Sequence, residues 1–285
     1  YIGILYAYAG EHLVMPLQQG IDEVFRDTRY LELRFTLSIH DQIYNQDRKQ
    51  IFIDKIIQDK SIAGLLSVFL PITEANIARI QKNGIPVVLL NNYSDCGKCV
   101  LIDHFNAGFE ATTELLKLGR KKVGLIMPEE TSEWVWEKRL SGYKKALLQA
   151  NLEYDPYLLV YEHTFSLKES ARATKTLLER EPAIDAIFYG SDIQAYAGME
   201  ALKELGKRVP EDIAVLGFDD MSFNRITEPP LSSVKQPMFE MGKLGAELLM
   251  ESIKKKDFSH RAIEMKSAMA LRQSTHKEIP REKLL

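Results

Sequence analysis

The stretch from residue 209 to residue 237 decides the fold, and it contains two segments. The first reads Val-Pro-Glu-Asp-Ile-Ala-Val-Leu-Gly-Phe-Asp-Asp, and the second reads Pro-Pro-Leu-Ser-Ser-Val-Lys-Gln-Pro. Residues 213–216 form a short apolar run that is typical of a buried parallel strand. Gly217 ends the run, and Asp219 and Asp220 follow it. Ligands bind at the carboxyl ends of strands in open α/β sheets, so two carboxylates here indicate a polar ligand.

The rest of the chain alternates between short apolar runs and amphipathic segments. This pattern predicts an α/β fold in which parallel sheets carry helices on both faces. Residues 15–26, 106–118 and 137–150 are predicted helices, and 231–236 is predicted to be extended because prolines bound it on both sides.

The composition is that of an ordinary soluble protein. The 285 residues are 45% hydrophobic and 27% charged, and the net charge of −3 offers no basic field for nucleic acid. No apolar run approaches the roughly 20 residues that a membrane helix needs. The chain opens on an apolar strand without a signal-peptide pattern, which predicts a cytoplasmic location, and its first residue is not Met, which suggests a fragment.

The two segments of 209–237 closely resemble the effector-binding domain of the lactose-repressor (LacI/GalR) family of bacterial transcription regulators. Four more matches follow in the family's order: Ile-Asp at 102–103, Arg-Leu-Ser-Gly-Tyr at 139–143, Gly-Ser-Asp-Ile at 190–193 and Arg-Gln-Ser-Thr at 272–275. Each motif alone is weak, but the ordered set is specific and covers essentially the whole chain.

This resemblance implies a periplasmic-binding-protein-like fold of type I. Two Rossmann-like subdomains would be joined by three crossovers, with a ligand cleft between them. The first subdomain would comprise residues 1–118 and 237–263, and the second would comprise 119–236 and 264–285.

The resemblance also implies an effector-sensing domain that binds a sugar or sugar derivative and controls operator DNA binding. It would form a homodimer through residues 15–25 and 239–251, and it would contact DNA only through an N-terminal helix-turn-helix head that this sequence lacks. The alternative is a solute-binding protein of a sugar transport system. The motifs at 217–220, 231–237 and 272–275 resemble the regulator branch and favour the repressor.

An enzyme of the doubly wound class is the third hypothesis, because a strand-end aspartate pair with Arg139 resembles acid–base machinery. The sequence has no nucleophile-elbow motif, no Rossmann glycine fingerprint and no P-loop. Its six histidines show no metal-ligand spacing. We therefore expect neither catalysis nor a cofactor nor a metal.

Arg139 and Asp219 are the principal candidates for ligand binding. The forked guanidinium of Arg139 suits a bidentate contact to adjacent hydroxyls or a carboxylate, whereas its alternative role is that of a solvated helix residue. Asp219 lies at a strand end, and its alternative role is to cap a turn near Ser222. Asp220 is interpreted as a structural partner.

Three further polar candidates each have an equally plausible structural role. Ser191 forms a capping box with Gln194, and it stands where many family members carry an asparagine that reaches the ligand. Asp103 matches an aspartate at the edge of the family's cleft, or it ends a strand. Gln236 lies at a crossover, where it could contact ligand or hydrogen-bond to the backbone.

Aromatic side chains near the strand ends could stack on a sugar ring. Trp134 and Phe165 are the preferred stacking residues because both are expected in loops after strands, and Tyr8 lies at the end of the first strand. Glu11, beside His12, is expected in the first loop, where family members contact ligand.

The two cysteines, Cys96 and Cys99, form a Cys-Gly-Lys-Cys motif that fits a redox pair or half of a zinc site. A zinc site needs two more ligands, and a redox motif normally opens a helix. The motif is expected in a polar loop before a strand, so we interpret it as a plain loop.

Overall fold

The computed structural model describes residues 1–7, 10–37, 46–128, 133–162 and 166–279, with backbone alone at Glu11, Leu37, 46–48 and Glu133. The contacts divide the chain into two compact units. One unit contains Tyr1–Ile102 and Pro237–Met265, and the other contains Asp103–Gln236 and Lys266–Leu285. Each unit is therefore built from two separate parts of the chain.

The first unit contains a six-stranded parallel sheet, as far as the described residues extend, in the order β11-β5-β4-β3-β1-β2. Its strands are β1 (Ile2–Ala7), β2 (Glu32–Leu37), β3 (Gly64–Val68), β4 (Val87–Leu90), β5 (Lys98–Ile102) and β11 (Arg261–Met265). Its helices are α1 (Glu11–Phe25), α2 (Gln46–Gln58), α3 (Glu74–Lys82) and α8 (Met238–Lys255).

The second unit contains a sheet in the order β12-β10-β9-β8-β6-β7, in which only the edge strand β12 is antiparallel among the described pairings. Its strands are β6 (Val123–Pro128), β7 (Leu159–Glu162), β8 (Ala186–Tyr189), β9 (Ala214–Asp219), β10 (Ser232–Lys235) and β12 (Ala268–Ala270). Its helices are α4 (His104–Lys117), α5 (Glu133–Gln149), α6 (Leu167–Arg180) and α7 (Asp192–Glu204), with short 3₁₀ turns at Pro156–Leu158 and Ser222–Arg225. The predicted α/β class with parallel sheets is confirmed.

The central strands are buried along most of their length, because helices cover both faces of each sheet. In the second unit, one face of the sheet packs on a cluster around Tyr143 and Phe188, and the other packs on a cluster around Leu177 and Tyr189. Continuous apolar runs such as 213–216 are therefore core strands, as their composition indicates.

Local signals fix the ends of several helices. Side-chain oxygens of Thr73, Asp103, Ser166 and Ser191 accept a backbone N–H in the first turn of their helices. At the other end of α4, Gly119 follows with φ of 84°, a left-handed conformation that glycine adopts without steric cost.

The boundary between the units differs from the predicted one. The first crossover lies after Ile102 rather than after residue 118, so α4 belongs to the second unit. The reason is its packing on α5, where the helices cross at Gly108 and Gly142. A Cβ at Gly142 would overlap the carbonyl of Phe105, so the close approach depends on glycine.

Two helices begin earlier than the sequence predicts. Helix α1 begins at Glu11, where Leu13 and Val14 donate N–H groups to the Gly10 carbonyl at 3.0 and 3.2 Å. Glu11 and His12 therefore lie in a helical turn rather than in a loop. Helix α5 begins at Glu133, which places Trp134 in its first turn and corrects the expected loop position.

No helix among the described residues is long and apolar enough to cross a membrane.

Candidate functional site

The candidate site lies on the second unit, where strands β8, β9 and β10 end side by side. Phe188 pairs with Leu216, and Lys235 pairs with Asp219, so the three strands end at one edge of the sheet. Helices α4 and α7 begin at this edge, with Asp103 and Ser191 as their capping residues. A helix N-terminus places partial positive charge and free N–H groups beside polar groups at the edge.

Asp219 ends strand β9 and is half-buried. Its φ of 114° is rare for a residue with a side chain. The Asp219 Oδ1 atom accepts a hydrogen bond of 2.6 Å from the Gln236 side-chain amide. Gln236 is 7% exposed, and its Oε1 atom has no hydrogen-bond partner among the described residues. Asp219 and Gln236, each predicted to contact ligand, are therefore brought together, and one buried acceptor lacks a donor among the described residues.

Arg139 is buried beside this pair, since only 4% of the residue is exposed. Its Nη1 donates to the Gly190 carbonyl at 2.8 Å, and its Nε donates to His104 Nδ1 at 3.3 Å. The guanidinium carbon lies 3.4 Å from the ring centre of Phe218 and 4.4 Å from that of Trp136. The alternative interpretation of Arg139 as a solvated surface residue is therefore wrong.

Burial lowers the pKa of Arg139 to about 9, and the negative charge of Asp219 acts in the opposite direction. The electrostatic effect of Asp219 links the two predicted ligand residues. A guanidinium held by two internal hydrogen bonds and two aromatic rings has a fixed orientation, which suits recognition of a ligand with a defined geometry.

His104, at the start of α4, was not a candidate in the sequence. It is 1% exposed, and burial, followed by the positive charge of Arg139, lowers its pKa well below 6.5. Its Nδ1 atom accepts from Arg139, which requires the neutral ring. The Trp134 ring meets it edge-on at 5.8 Å, so the predicted stacking residue lies beside the site.

Ser191 performs the capping role that the sequence offered as an alternative, whereas Asp103, directly after strand β5, caps helix α4. The Ser191 hydroxyl accepts the Gln194 N–H at 3.3 Å, and Asp103 accepts the Asn106 N–H at 3.0 Å. Asp103 also accepts from the Asn106 side-chain amide. A contact of either residue with ligand stays a prediction.

Asp220 and the motif at 272–275 join strands β9 and β10 to the end of the chain. Arg272 Nη2 lies 2.6 Å from Asp220 Oδ1 in a buried ion pair, and Arg272 Nη1 donates to the Leu231 carbonyl at 2.7 Å. Ser274 accepts from the Ser232 N–H at 2.8 Å and donates to the Val215 carbonyl at 2.7 Å. These contacts support the interpretation of Asp220 as a structural residue.

Asp192 is the second residue that was not a sequence candidate. It is fully buried and accepts hydrogen bonds from the Met221 N–H, the Asn224 amide and the Ser233 hydroxyl at 2.7, 2.8 and 2.6 Å. Burial and the charge of Asp219 raise the pKa of Asp192, whereas the three donors lower it, and the net direction is upward. Its position in the Gly-Ser-Asp-Ile motif was a signal, but its partners are far away in the sequence.

Two predicted aromatic residues, Tyr8 and Phe165, lie outside the described residues, and so does the side chain of Glu11. Their ligand contacts stay predictions. Cys96 is half-buried and Cys99 is buried, and neither forms a disulfide. Burial raises the pKa of the Cys99 thiol. Across the described residues, no three His, Cys, Asp or Glu side chains gather as a metal site would require.

Comparison with known proteins identifies the class of protein. Residues 112–275 match the periplasmic binding protein-like domain family. The HTH-type transcriptional repressor PurR of Aliivibrio salmonicida is 29% identical over 232 residues, which cover 80% of this chain and 69% of that protein. The HTH-type transcriptional regulator CelR of Thermobifida fusca is 39% identical over 153 residues, covering 53% of this chain and 44% of that protein.

The solved structure of a CelR–cellobiose complex has the same fold. It superimposes with a TM-score of 0.83 at 25% sequence identity, over 95% of this chain and 84% of that one. The chain belongs to the periplasmic binding protein-like domain family. Within it, the chain is an effector-binding domain of a LacI-family transcriptional regulator, as its ordered motifs predict.

Proposed function

We propose that this domain binds a neutral sugar at the carboxyl edge of the second unit and that binding controls operator DNA binding by the whole regulator. The observation that carries the proposal is the Asp219–Gln236 pair. A carboxylate and an amide held 2.6 Å apart offer acceptors and a donor to adjacent hydroxyl groups. The Gln236 Oε1 atom, which has no hydrogen-bond partner within the described part of the chain, is an acceptor that a sugar hydroxyl would satisfy.

The charges of the site favour a neutral ligand over an anion. Arg139 is the cation of the site, and its described hydrogen bonds already occupy Nε and Nη1. The carboxylate of Asp219 opposes this positive charge, and His104 carries no charge because its pKa is lowered well below 6.5. A phosphate or carboxylate ligand would therefore meet a positive charge that Asp219 already offsets, whereas hydroxyl groups need no net charge from the site.

Aromatic faces complete the set of groups that sugars require. Trp134 lies beside His104 and Trp136 lies beside Arg139, and both rings are only partly buried. A pyranose ring presents apolar C–H faces to such side chains. Cellobiose is the first ligand to test, because CelR of Thermobifida fusca is similar in sequence and a CelR–cellobiose complex is similar in structure. Contacts from Tyr8, Phe165 and Glu11 remain part of the proposal.

We further propose that the regulator acts as a homodimer through α1 and α8 of the first unit. These helices pack on each other, and Met15 of α1 is 59% exposed. A ligand shifts such a protein only by binding one of its conformations more tightly, so repression or its release would depend on that difference in affinity.

A thermal-shift screen tests the proposed function. The panel contains cellobiose, other neutral sugars, sugar phosphates, sugar acids, nucleosides and purines. A ligand at about 100 times its Kd stabilises the native state by roughly 2.7 kcal/mol, which raises Tm by a few degrees. We expect shifts with neutral sugars only. A shift with sugar phosphates alone would contradict the neutral-ligand proposal, and no shift with any sugar would contradict the proposed ligand class.

A further inference from the structure

A buried aspartate holds the backbone on which Asp219 stands. Asp219 has a φ of 114° and Asp220 has a φ of 55°, so two consecutive non-glycine residues are left-handed. Such conformations are unfavourable for side chains with a Cβ, and they persist only where surrounding contacts enforce them. The backbone amides that follow Asp219 show which contacts do so.

Both of the next two backbone amides are anchored through Asp192. The Met221 N–H donates to Asp192 Oδ2 at 2.7 Å. The Asp220 N–H donates to the Ser233 hydroxyl at 3.0 Å, and that hydroxyl donates to Asp192 Oδ1 at 2.6 Å. The Asn224 amide adds a third donor to the same carboxylate at 2.8 Å, which fixes the turn that follows.

The strand beside this carboxylate is shaped to admit it. A Cβ at Gly217 would overlap Asp192 Oδ1, so the glycine of the Gly-Phe-Asp-Asp motif provides the space that the carboxylate fills. Ser233 is the register partner of Gly217 across β9 and β10, which places its hydroxyl at the same point. Three separate segments, at 191–192, 217–224 and 233, therefore converge on one buried carboxylate.

We propose that Asp192, together with Ser233, is the positioning residue that holds the Asp219 carboxylate in its ligand-binding orientation without contacting ligand itself. This inference rests on the proposed function, in which Asp219 binds a sugar. Asp192 and Ser233 are fully buried, so they act through the backbone of residues 219–221. The two motifs therefore act together, because Asp192 of Gly-Ser-Asp-Ile positions Asp219 of Gly-Phe-Asp-Asp.

A pair of serine variants separates positioning from general destabilisation. Ser233→Ala removes the link to the Asp220 N–H, and Ser170→Ala is its matched control. Both serines are fully buried in the second unit, and each donates its hydroxyl to a carboxylate, since Ser170 bonds Glu162 at 3.0 Å. We expect similar losses of Tm, whereas only Ser233→Ala weakens cellobiose binding, by about tenfold or more. Equal affinities of the two variants for cellobiose would overturn the proposal.

Substitutions of Asp192 test the same role by rescue. Asp192→Ala removes all three acceptor interactions, so we expect a loss of cellobiose affinity of at least about tenfold. Asp192→Asn keeps an oxygen for Met221 and Asn224, and the Ser233 hydroxyl can rotate to accept from the new amide. Asp192→Asn should therefore restore most of the affinity. Binding by Asp192→Ala as tight as by the unmodified domain would contradict the positioning role.

The Asp219→Ala variant and a crystal structure distinguish failure of this inference from failure of the proposed function. If Asp219→Ala binds cellobiose normally, or if the unmodified domain binds neither cellobiose nor any other neutral sugar of the screen, the proposed function fails. In that case, a crystal structure of the Ser233→Ala variant without ligand still tests the positioning role. Departure of Asp219 from positive φ supports the inference, and an unchanged backbone at residues 219–221 overturns it.

Discussion

The candidate site is made of residues whose side chains already have partners inside the protein. Arg139 donates to Gly190 and His104, and Asp219 accepts from Gln236. Such contacts fix the orientation of a binding group before ligand arrives, which reduces the conformational entropy lost on binding. They also mean that Arg139→Ala would leave the Gly190 carbonyl without its arginine donor, so loss of stability should accompany any loss of binding.

His104 makes a specific prediction about pH. Its folded pKa lies well below 6.5, so the unfolded chain binds a proton at pH values where the folded ring stays neutral. The stability that the neutral ring contributes is fully present above pH 6.5, and it decreases as the pH falls from there towards the folded pKa. The free energy of unfolding should decrease by up to about 1.4 kcal/mol per pH unit in that window.

Urea denaturation at pH 7.5 and 5.5 (about one pH unit either side of the ordinary histidine pKa) measures this effect. His104→Gln is the control, because glutamine does not titrate and its side-chain oxygen can accept from Arg139. We expect the free energy of unfolding to change less between the two pH values in the variant than in the unmodified domain. The same change in both proteins would show that His104 is not held neutral.

The sequence indicates individual candidate residues more readily than it indicates their partners. Asp219 and Arg139 are candidates because each lies in a short motif that is visible along the chain. Asp192 and His104 were missed because their roles depend on contacts with residues such as Ser233 and Arg139, which are distant in sequence. Spacing along one segment carries no information about which segments fold together.

At the scale of elements, the positions of the strands can be predicted from local composition, whereas the unit to which a helix belongs cannot. The run at 213–216 is buried as predicted, because an uncharged apolar segment of that length suits a covered strand. Helix α4 was placed in the first unit by analogy, but its packing on α5 places it in the second. The contacts that assign α4 to this unit are those of Gly108 and Gly142 with the backbone of the facing helix. A single glycine within a helix is only a weak signal in the sequence.

The crossing of α4 and α5 gives a prediction about stability. A methyl group at Gly142 would overlap the Phe105 carbonyl, so Gly142→Ala should force the helices apart and destabilise the domain by about 1–3 kcal/mol. This cost exceeds the gain of up to about 1 kcal/mol that alanine brings to a helix. Ser141→Ala, at the exposed neighbouring position, should change the free energy of unfolding little.

Chemical denaturation of both variants measures the difference. A Gly142→Ala domain that is as stable as the Ser141→Ala domain would contradict the close crossing. Because Arg139 lies one turn before Gly142 on α5, a displaced helix should also weaken sugar binding.

At the scale of the whole molecule, the proposed homodimer is tested by sedimentation velocity. Met15→Asp places a charge on the exposed side of α1, where a buried carboxylate without a partner would oppose association. Leu148→Asp is the matched control, since Leu148 is 67% exposed on α5 of the second unit. We expect Met15→Asp alone to shift the protein towards monomer. A monomeric unmodified domain, or dissociation by both variants alike, would argue against this interface.

The central claim is that the carboxyl edge of the second unit binds a neutral sugar through Asp219. Isothermal titration of cellobiose into the unmodified domain and into Asp219→Ala tests it most directly. We predict saturable binding to one site per chain in the unmodified domain, and a loss of affinity of at least about tenfold in the variant, which corresponds to about 1.4 kcal/mol. Equal binding of cellobiose by both proteins would contradict this claim, and so would an unmodified domain that binds neither cellobiose nor any other neutral sugar of the screen.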